Sequence, residues 1–349
     1  MLQPAPPVLP PPSPSENRLL ALLRRAGLLD WFLLGLIGVV ALAYLIPDVG
    51  SKASPIPWKV ITTAGVALIF FFYGLRLSLD KLRAGLRNWR LHVVVQLTTF
   101  VVFPLLALAL RPLFVGKALD MWPSVFFLCT LPSTVSTSVV MVSIARGNLP
   151  AAIFNASISS LLGIVLTPLW TSLFLNTSAE GGNLWRLGLD LLWQVILPVV
   201  VGVLLNHRFG SFAEQHKGSL RISDQVVILL IVFTAFCESF AEGIFRSYQP
   251  RDIALLGLGM VVLYFLIFGV VWAVSRMLGF SRADRTVALF CGSKKSLVHG
   301  SVMASLLFPG MAATGLLLLP LMLYHALQII LASMMAQHMG RQAEAEKVA

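Results

Sequence analysis

The sequence predicts an all-α membrane protein, and three observations support this fold class. Hydrophobic residues make up 57% of the 349-residue chain and charged residues only 12%, about half the charged fraction of a soluble domain. The apolar residues form ten segments, most of which reach the ~20 residues that a helix needs to cross the hydrocarbon layer. No segment alternates in the manner of a barrel strand, so helices must satisfy the backbone in lipid. We therefore expect ten transmembrane helices.

Charged residues, prolines and glycines separate the apolar segments from one another. Each segment is expected to form one membrane helix, and we number the segments one to ten in chain order. Their spans are 29–46, 57–79, 90–111, 121–145, 150–175, 185–206, 222–241, 253–278, 284–307 and 311–338.

The net charge of +11 reflects membrane topology, because the basic residues stand between segments and do not form one patch. If the amino terminus is cytoplasmic, 17 of the 26 Lys and Arg residues fall on the cytoplasmic side, 7 on the other side and 2 inside segment nine. This bias follows the positive-inside rule. It predicts a multi-pass protein of the cell inner membrane with both termini in the cytoplasm, and no nucleic-acid partner.

The chain is expected to divide into two halves of five segments, and an odd number of segments inverts the second half relative to the first. The first 17 residues hold seven prolines and no positive charge, so we expect disorder there and no signal peptide. The predicted parts are a disordered Pro-rich N-terminus with a cytoplasmic lead-in (1–27), a first five-helix repeat (28–175), a second, inverted repeat (184–338) and a cytoplasmic tail (339–349).

Segment four is interrupted by a proline within a cluster of hydroxyl residues. Pro132 removes a backbone donor, and Ser133, Thr134 and Ser136 follow it. Freed backbone groups at membrane depth are tolerated only where protein or a water-filled cavity satisfies them, so we expect a centre that binds a solute or an ion. The alternative is that the hydroxyls only bond the preceding helical turn.

Segment nine contains two adjacent lysines, Lys294 and Lys295, between Ser293 and Ser296. A cation at this depth costs at least about 2.5–3.5 kcal/mol, so it needs a use or a partner. Adjacent residues point about 100° apart on a helix, so both lysines reach one partner only if the helix unwinds. Segments four and nine hold corresponding places in the two halves, and paired interruptions are typical of transporter binding sites. The alternative is that segment nine contains a cytoplasmic loop.

Other polar residues of the apolar segments are candidates for the same solute- or ion-binding centre. Asn155 and Ser159 give segment five a polar stripe, which alternatively serves tight helix packing. Gln96 on segment three would widen the polar centre. Glu238, near the outer end of segment seven, is expected to face a cavity or else to lie at the membrane interface.

No motif predicts catalysis, a metal site or a resident cofactor. Cys129, Cys237 and Cys291 lack metal or redox spacing and are expected to be core residues. We expect a transporter that is not an enzyme, with the lipid bilayer and a small-molecule solute as partners and Na⁺ or H⁺ as the candidate coupling ion.

Several motifs carry a family resemblance, and Phe290-Cys291-Gly292-Ser293-Lys294-Lys295-Ser296-Leu297 is the most specific. The others lie at 71–78, 131–138, 145–148, 151–155 and 167–168. Over residues 28–338 the chain resembles the bile acid:sodium symporter superfamily, in particular its sodium/bile-acid-like subgroup. The resemblance implies two inverted five-helix repeats, with segments one, two, six and seven forming a panel domain and the others a core domain. It also implies that the broken helices of segments four and nine cross in the core, and that solute binds between panel and core.

The chain departs from the family at the place where sodium-coupled members carry a glutamate, which is Phe290 here. Ala152 and Ala156 stand where the resemblance implies hydroxyl residues, and lysines replace amides. We therefore expect proton-coupled or uncoupled transport of an organic anion, with the ammonium of Lys294 or Lys295 in place of the cation. The alternative function is a non-transporting membrane regulator of cation homeostasis, because vertebrate and fungal members of the subgroup are linked to cellular calcium regulation.

Overall fold

The computed structural model describes residues 31–77, 88–175, 192–308, 311 and 313–348. Every regular element in these ranges is a helix. The longer helices are α1 (Trp31–Leu45), α2 (Trp58–Arg76), α3 (Trp89–Leu113), α4 (Trp122–Thr130), α5 (Ser136–Ile144), α6 (Leu149–Phe174), α7 (Leu192–Gln215), α8 (Lys217–Ala241), α9 (Pro250–Met277), α10 (Arg282–Gly292), α11 (Leu297–Leu307) and α12 (Thr314–Val348).

The helices agree with the prediction of an all-helical, multi-pass membrane protein. Within the described ranges, seven helices are long and apolar enough to cross a membrane, namely α2, α3, α6, α7, α8, α9 and α12. The predicted Pro-rich N-terminus at 1–27 lies outside the described residues, as does the predicted start of the second repeat at 184–191. The predicted cytoplasmic tail continues α12 as helix through Val348.

The helices α1, α2, α7 and α8 pack against one another. The closest approach is between α2 and α7, where a Cβ on Gly74 would collide with the α7 backbone and one on Gly202 with the α2 backbone. Small residues allow such close packing of membrane helices. At one end of this group, Arg76 Nη2 forms an ion pair with Asp224 Oδ2 at 2.7 Å and joins α2 to α8.

The remaining helices, α3–α6 and α9–α12, form a second set of mutual contacts. Its centre is made of the four shorter helices of segments four and nine. Every residue of α4 from Val125 onward is buried, and so is every residue of α10 from Thr286 onward. Helix α8 contacts both sets, because it also packs on α11 and α12.

Three helix N-termini of the second set meet at the carboxylate of Asp284. Asn88, Asn148 and Ser281 cap α3, α6 and α10 by accepting hydrogen bonds from backbone N–H groups. The side chains of the same three residues donate to Asp284, at 2.9 Å from Asn88, 2.9 Å from Asn148 and 3.0 Å from Ser281. A negative charge is also favourable near helix N-termini. Asp284 therefore holds the N-termini of three helices together.

We predict that Asp284→Ala lowers the free energy of unfolding by about 2–4 kcal/mol, because three caps lose a shared charged acceptor. Thermal unfolding of the purified protein in detergent measures the effect. The matched control is Glu214→Ala, which removes an exposed ion pair with Lys217 (3.5 Å) that is worth about 0–1 kcal/mol. Equal melting temperatures for the two variants would contradict the assigned position of Asp284.

Candidate functional site

Segments four and nine leave helical geometry at places that lie against each other. Residues 131–135 separate α4 from α5, and residues 293–296 separate α10 from α11. We call these two stretches the paired interruptions. The backbone N–H of Ser296 donates to Pro132 O at 2.9 Å and joins them directly. The predicted residues Pro132 of segment four and Ser296 of segment nine are thereby brought together.

Side chains of α6 satisfy backbone groups freed by the first interruption. Thr167 Oγ1 donates to Thr130 O at 2.8 Å, at the end of α4. Ser159 Oγ accepts from the backbone N–H of Ser133 at 2.9 Å. Buried backbone groups need such partners in an apolar interior, so the predicted residue Ser159 supports the interruption.

Side chains of α12 satisfy the second interruption in a corresponding way. Tyr324 Oη donates to Ser293 O at 2.6 Å. Gln328 accepts from the backbone N–H of Lys295 at 2.9 Å and donates to Lys295 O at 2.8 Å. Helix α12 follows segment nine in the chain as α6 follows segment four, so each interrupted segment is supported by the helix after it.

The ammonium of Lys295 is buried and fully hydrogen-bonded. It donates to the backbone carbonyls of Thr99 at 2.8 Å, Cys129 at 2.7 Å and Leu131 at 2.7 Å. It also lies 4.0 Å from the centre of the Phe103 ring, a favourable cation–π arrangement. Since an ammonium has three N–H donors, three carbonyls satisfy all of them.

These carbonyls are free to accept because α3 and α4 lack the usual next-turn donors. A π-helical turn over Thr98–Val102 directs the Phe103 N–H to Thr98 O. In an α-helix this N–H would bond to Thr99 O, so the Thr99 carbonyl lacks its usual donor. The next residue, Pro104, has no N–H to offer. Cys129 lies at the end of α4 and Leu131 in the interruption, so no helical turn follows either carbonyl. The prolines of segments three and four therefore help to create the acceptors that hold Lys295.

Lys294 is as deeply buried as Lys295, but no described residue pairs with it. Its side chain is 0% exposed, and its Nζ has no hydrogen-bond partner among the residues that the structure describes. Ser133 Oγ, in the other interruption, is also buried and has no hydrogen-bond partner within those ranges. The two lysines are adjacent in the sequence, but their ammonium groups have different surroundings in the structure.

Gln96 and Asn155 form a hydrogen-bonded link between α3 and α6. Gln96 Nε2 donates to Asn155 O at 3.1 Å. Asn155 Nδ2 lies 2.9 Å from His92 Nδ1 and donates to Ala151 O at 2.9 Å. The two predicted residues are thus brought together with His92, which the sequence analysis did not select.

Other predicted hydroxyl residues bond locally or are exposed. Thr134 Oγ1 shares a hydrogen bond with Thr137 Oγ1 at 2.6 Å. Ser296 Oγ caps α11 by accepting from the His299 N–H at 3.3 Å. Ser136 is exposed at the start of α5.

Glu238 lies in a different environment from the paired interruptions. It forms an ion pair with Lys52 Nζ at 3.0 Å and accepts from the Lys52 backbone N–H at 2.9 Å. Both residues line a cavity of about 700 Å³. The cavity wall also includes Thr62, Thr234 and Ser305.

Sequence reasoning missed the supporting residues Thr167, Tyr324 and Gln328. One signal was available for α12, because Tyr324 and Gln328 are polar residues four positions apart in an apolar segment. Residues at this spacing share one helix face. The carbonyl acceptors of Lys295 carried no signal of their own, since every residue has a backbone carbonyl.

We predict different stability effects for substitution of the two lysines. Lys295→Met leaves three buried carbonyls unsatisfied and is expected to lower the free energy of unfolding by about 2–5 kcal/mol. Lys294→Met removes a buried cation that has no acceptor in the described ranges, so the melting temperature should stay the same or rise. Thermal unfolding in detergent compares the variants. Equal losses for both, or the reverse order, would contradict the observed pairing.

Known proteins resemble this chain over nearly its whole length. An uncharacterized protein of Pseudomonas aeruginosa is 40% identical over 316 residues, which cover 90% of this chain and 93% of that protein. The Putative symporter YfeH of Escherichia coli is 38% identical over 321 residues, or 91% of this chain and 95% of YfeH. Sodium/bile acid cotransporter 7 of Xenopus tropicalis is 32% identical over 324 residues, or 88% of this chain and 90% of the cotransporter.

The sequence profile of the SBF-like CPA transporter family matches residues 30–341. This range contains the paired interruptions and the helices that support them. The match and the relatives confirm the resemblance drawn from the sequence motifs. Several apolar helices together with these relatives identify a multi-pass membrane protein. The chain belongs to the SBF-like CPA transporter family.

Proposed function

We propose that this chain is a secondary-active transporter that moves a small organic anion across the inner membrane by alternating access, with both termini in the cytoplasm. The observation that carries the proposal is the hydrogen bond between Ser296 and Pro132, which joins two buried interruptions of membrane helices. Non-helical backbone at membrane depth is typical of solute and ion pathways. A membrane helix with only a structural task has no need of it.

In this proposal, α1, α2, α7 and α8 form the panel and the other helices form the core, as the family resemblance implies. The two halves of the chain, 28–175 and 184–338, are inverted repeats, and segments four and nine cross in the core. The packing supports this division, because each set of helices makes contacts mainly among its own members. Polar contacts between the sets include a hydrogen bond from Tyr73 Oη to Ser157 O (2.8 Å).

The cavity of about 700 Å³ supports a solute pathway between panel and core. Its lining includes Thr62 of α2 and Thr234 of α8 on the panel side, and Ser305 of α11 and Thr314 of α12 on the core side. Small-molecule sites usually have volumes of roughly 300–1,000 Å³, so the cavity has the size for an organic solute.

The position of Lys295 supports transport that does not require sodium at the paired interruptions. The carbonyls of Thr99, Cys129 and Leu131 are the kind of oxygen ligand that a monovalent cation needs, and the Lys295 ammonium uses all three. A cation that belongs to the protein does not move with the solute. Transport is then proton-coupled or uncoupled.

Sodium dependence provides the first test of this function. A thermal-shift screen of organic anions selects a stabilising solute, and proteoliposomes that contain the protein then exchange the labelled solute in a counterflow assay. We expect equal rates in sodium and choline media, because Lys295 holds the cation position. A strict sodium requirement would contradict the coupling proposal. If no stabilising compound is exchanged in any medium, the result favours the non-transporting regulator instead.

A cross-link between panel and core tests alternating access. Gly315 N donates to Ser239 Oγ at 2.9 Å, and a Cβ built on Gly315 would lie 3.0 Å from Ser239 Cβ. A shift of about half an ångström reaches the Cβ–Cβ range of a disulfide, roughly 3.5–4.5 Å. We predict that Ser239→Cys/Gly315→Cys, in a Cys237→Ala background, loses counterflow on oxidation and regains it with reductant.

The matched controls for the cross-link are the two single-cysteine variants in the same background. They should exchange solute equally well under oxidising and reducing conditions. Full cross-linking with undiminished counterflow would show that panel and core do not need to separate.

A further inference from the structure

The two adjacent lysines of segment nine have different tasks. We propose that the Lys294 ammonium binds the anionic oxygen group of the solute, a carboxylate or a related oxyanion, whereas Lys295 is a fixed structural cation. This inference rests on the proposed function, because it assigns the class of solute and its charged contact within the paired interruptions.

Lys295 has no capacity to bind a ligand. Its three N–H donors go to three carbonyls, and its backbone N–H and C=O both bond to Gln328. A ligand could reach its ammonium only by displacing one of these partners. The charged contact for a solute must therefore come from another residue.

Lys294 has the opposite properties. Its ammonium is fully buried and has no acceptor among the described residues. A buried ion is stable only if it is paired and hydrogen-bonded. Lys294 therefore keeps its charge in this position only where an acceptor reaches it, and that acceptor must carry or share negative charge to match an ammonium.

The described part of the chain offers Lys294 no carboxylate. Asp224 is paired with Arg76 and Glu238 with Lys52. Other described carboxylates with partners are Glu214 (Lys217), Asp252 (Arg251 and Gln249), Asp284 (Asn88, Asn148 and Ser281) and Glu344 (Arg146). The others, Asp48, Asp120 and Glu242, lie in connections between segments, and Glu346 lies in the tail at the end of α12. Among the residues that the structure describes, none supplies the partner, and we assign that place to an anion from outside the chain.

Two more buried polar groups, one in the other interruption and one on α11, are available to a bound anion. Ser133 Oγ and His299 Nε2 have no hydrogen-bond partner within the described ranges. Ser133 belongs to the interruption that the Ser296–Pro132 hydrogen bond joins to that of Lys294. The His299 ring lies edge-on to Tyr73 of α2, with ring centres 6.1 Å apart. Hydroxyl and imidazole groups donate to carboxylates, whereas the lysine charge repels a cationic solute.

The enclosed position of Lys294 explains why binding must be coupled to movement. An anion reaches the ammonium only when the helices around the paired interruptions separate. His299 lies on α11, which follows the interruption that holds Lys294, and it packs against Phe70 and Tyr73 of α2. Separation of the panel helix α2 from the core would uncover this side of α11. Alternating access provides that separation.

The test uses butyrate, hexanoate and benzoate as probes, each beside its uncharged amide, with the full-length protein in detergent. We expect at least one carboxylate to raise the melting temperature of the wild type while its amide does not. Lys294→Met should weaken carboxylate binding roughly 10- to 100-fold, the loss of one charged hydrogen bond. Lys217→Met, which removes an exposed lysine from the end of α8, should bind like the wild type.

Several outcomes would overturn the assignment. These are a wild type that no carboxylate in the series stabilises, equal stabilisation by acids and amides, or unchanged binding in Lys294→Met. If Lys294→Met does not fold, Lys294→Gln keeps a polar end without the charge, and carboxylate binding retained in that variant has the same meaning.

Counterflow separates this inference from the proposed function. Carboxylate binding that depends on Lys294, without exchange across the proteoliposome membrane, would refute transport and leave the anion site in place. Exchange that persists unchanged in Lys294→Met would refute the anion site and leave transport in place.

Discussion

A membrane helix that is interrupted exposes backbone groups that lipid cannot satisfy. The Lys295 ammonium, which belongs to the second interruption, satisfies carbonyls at the first. Its backbone is held by Gln328 of α12, and its Nζ reaches carbonyls of α3 and α4. One residue therefore connects α3 and α4 through their main chains and α12 through the side chain of Gln328. The hydrogen bond between Ser296 and Pro132 and the burial of Lys294 both occur next to this connection. The local geometry of the site depends on it.

The helices α6 and α12 provide the rest of the support, and they do so with different chemistry. Helix α6 uses the hydroxyls of Ser159 and Thr167, whereas α12 uses the phenol of Tyr324 and the amide of Gln328. The larger side chains, those of α12, support the interruption at 293–296, which contains both lysines. With one lysine saturated and the other unpaired within the described ranges, the same few residues combine a rigid centre with an available charge.

The sequence predicted the helical segments and both interruptions because these are local properties. Hydropathy over about 20 residues marks a span. Pro132 and the two adjacent lysines disrupt their own segments, whatever the tertiary structure around them. The same reasoning selected Ser159 and Asn155 but gave each an alternative in packing, because periodicity shows which face is polar and not what it touches. It missed Gln328 and Thr167, whose importance comes from backbone groups more than 30 residues away in the chain.

The sequence by itself determined that this chain is an all-helical membrane protein with polar breaks in segments four and nine, since hydrophobic length and helix-breaking residues act within one segment. It also determined the family, because the motifs around the breaks are contiguous. Only the tertiary structure decided how the two lysines differ. The acceptors of Lys295 are backbone carbonyls at positions 99, 129 and 131, and a carbonyl becomes available only where helix geometry and packing release it. Residue type cannot reveal that, so adjacent, identical side chains acquire different environments on folding.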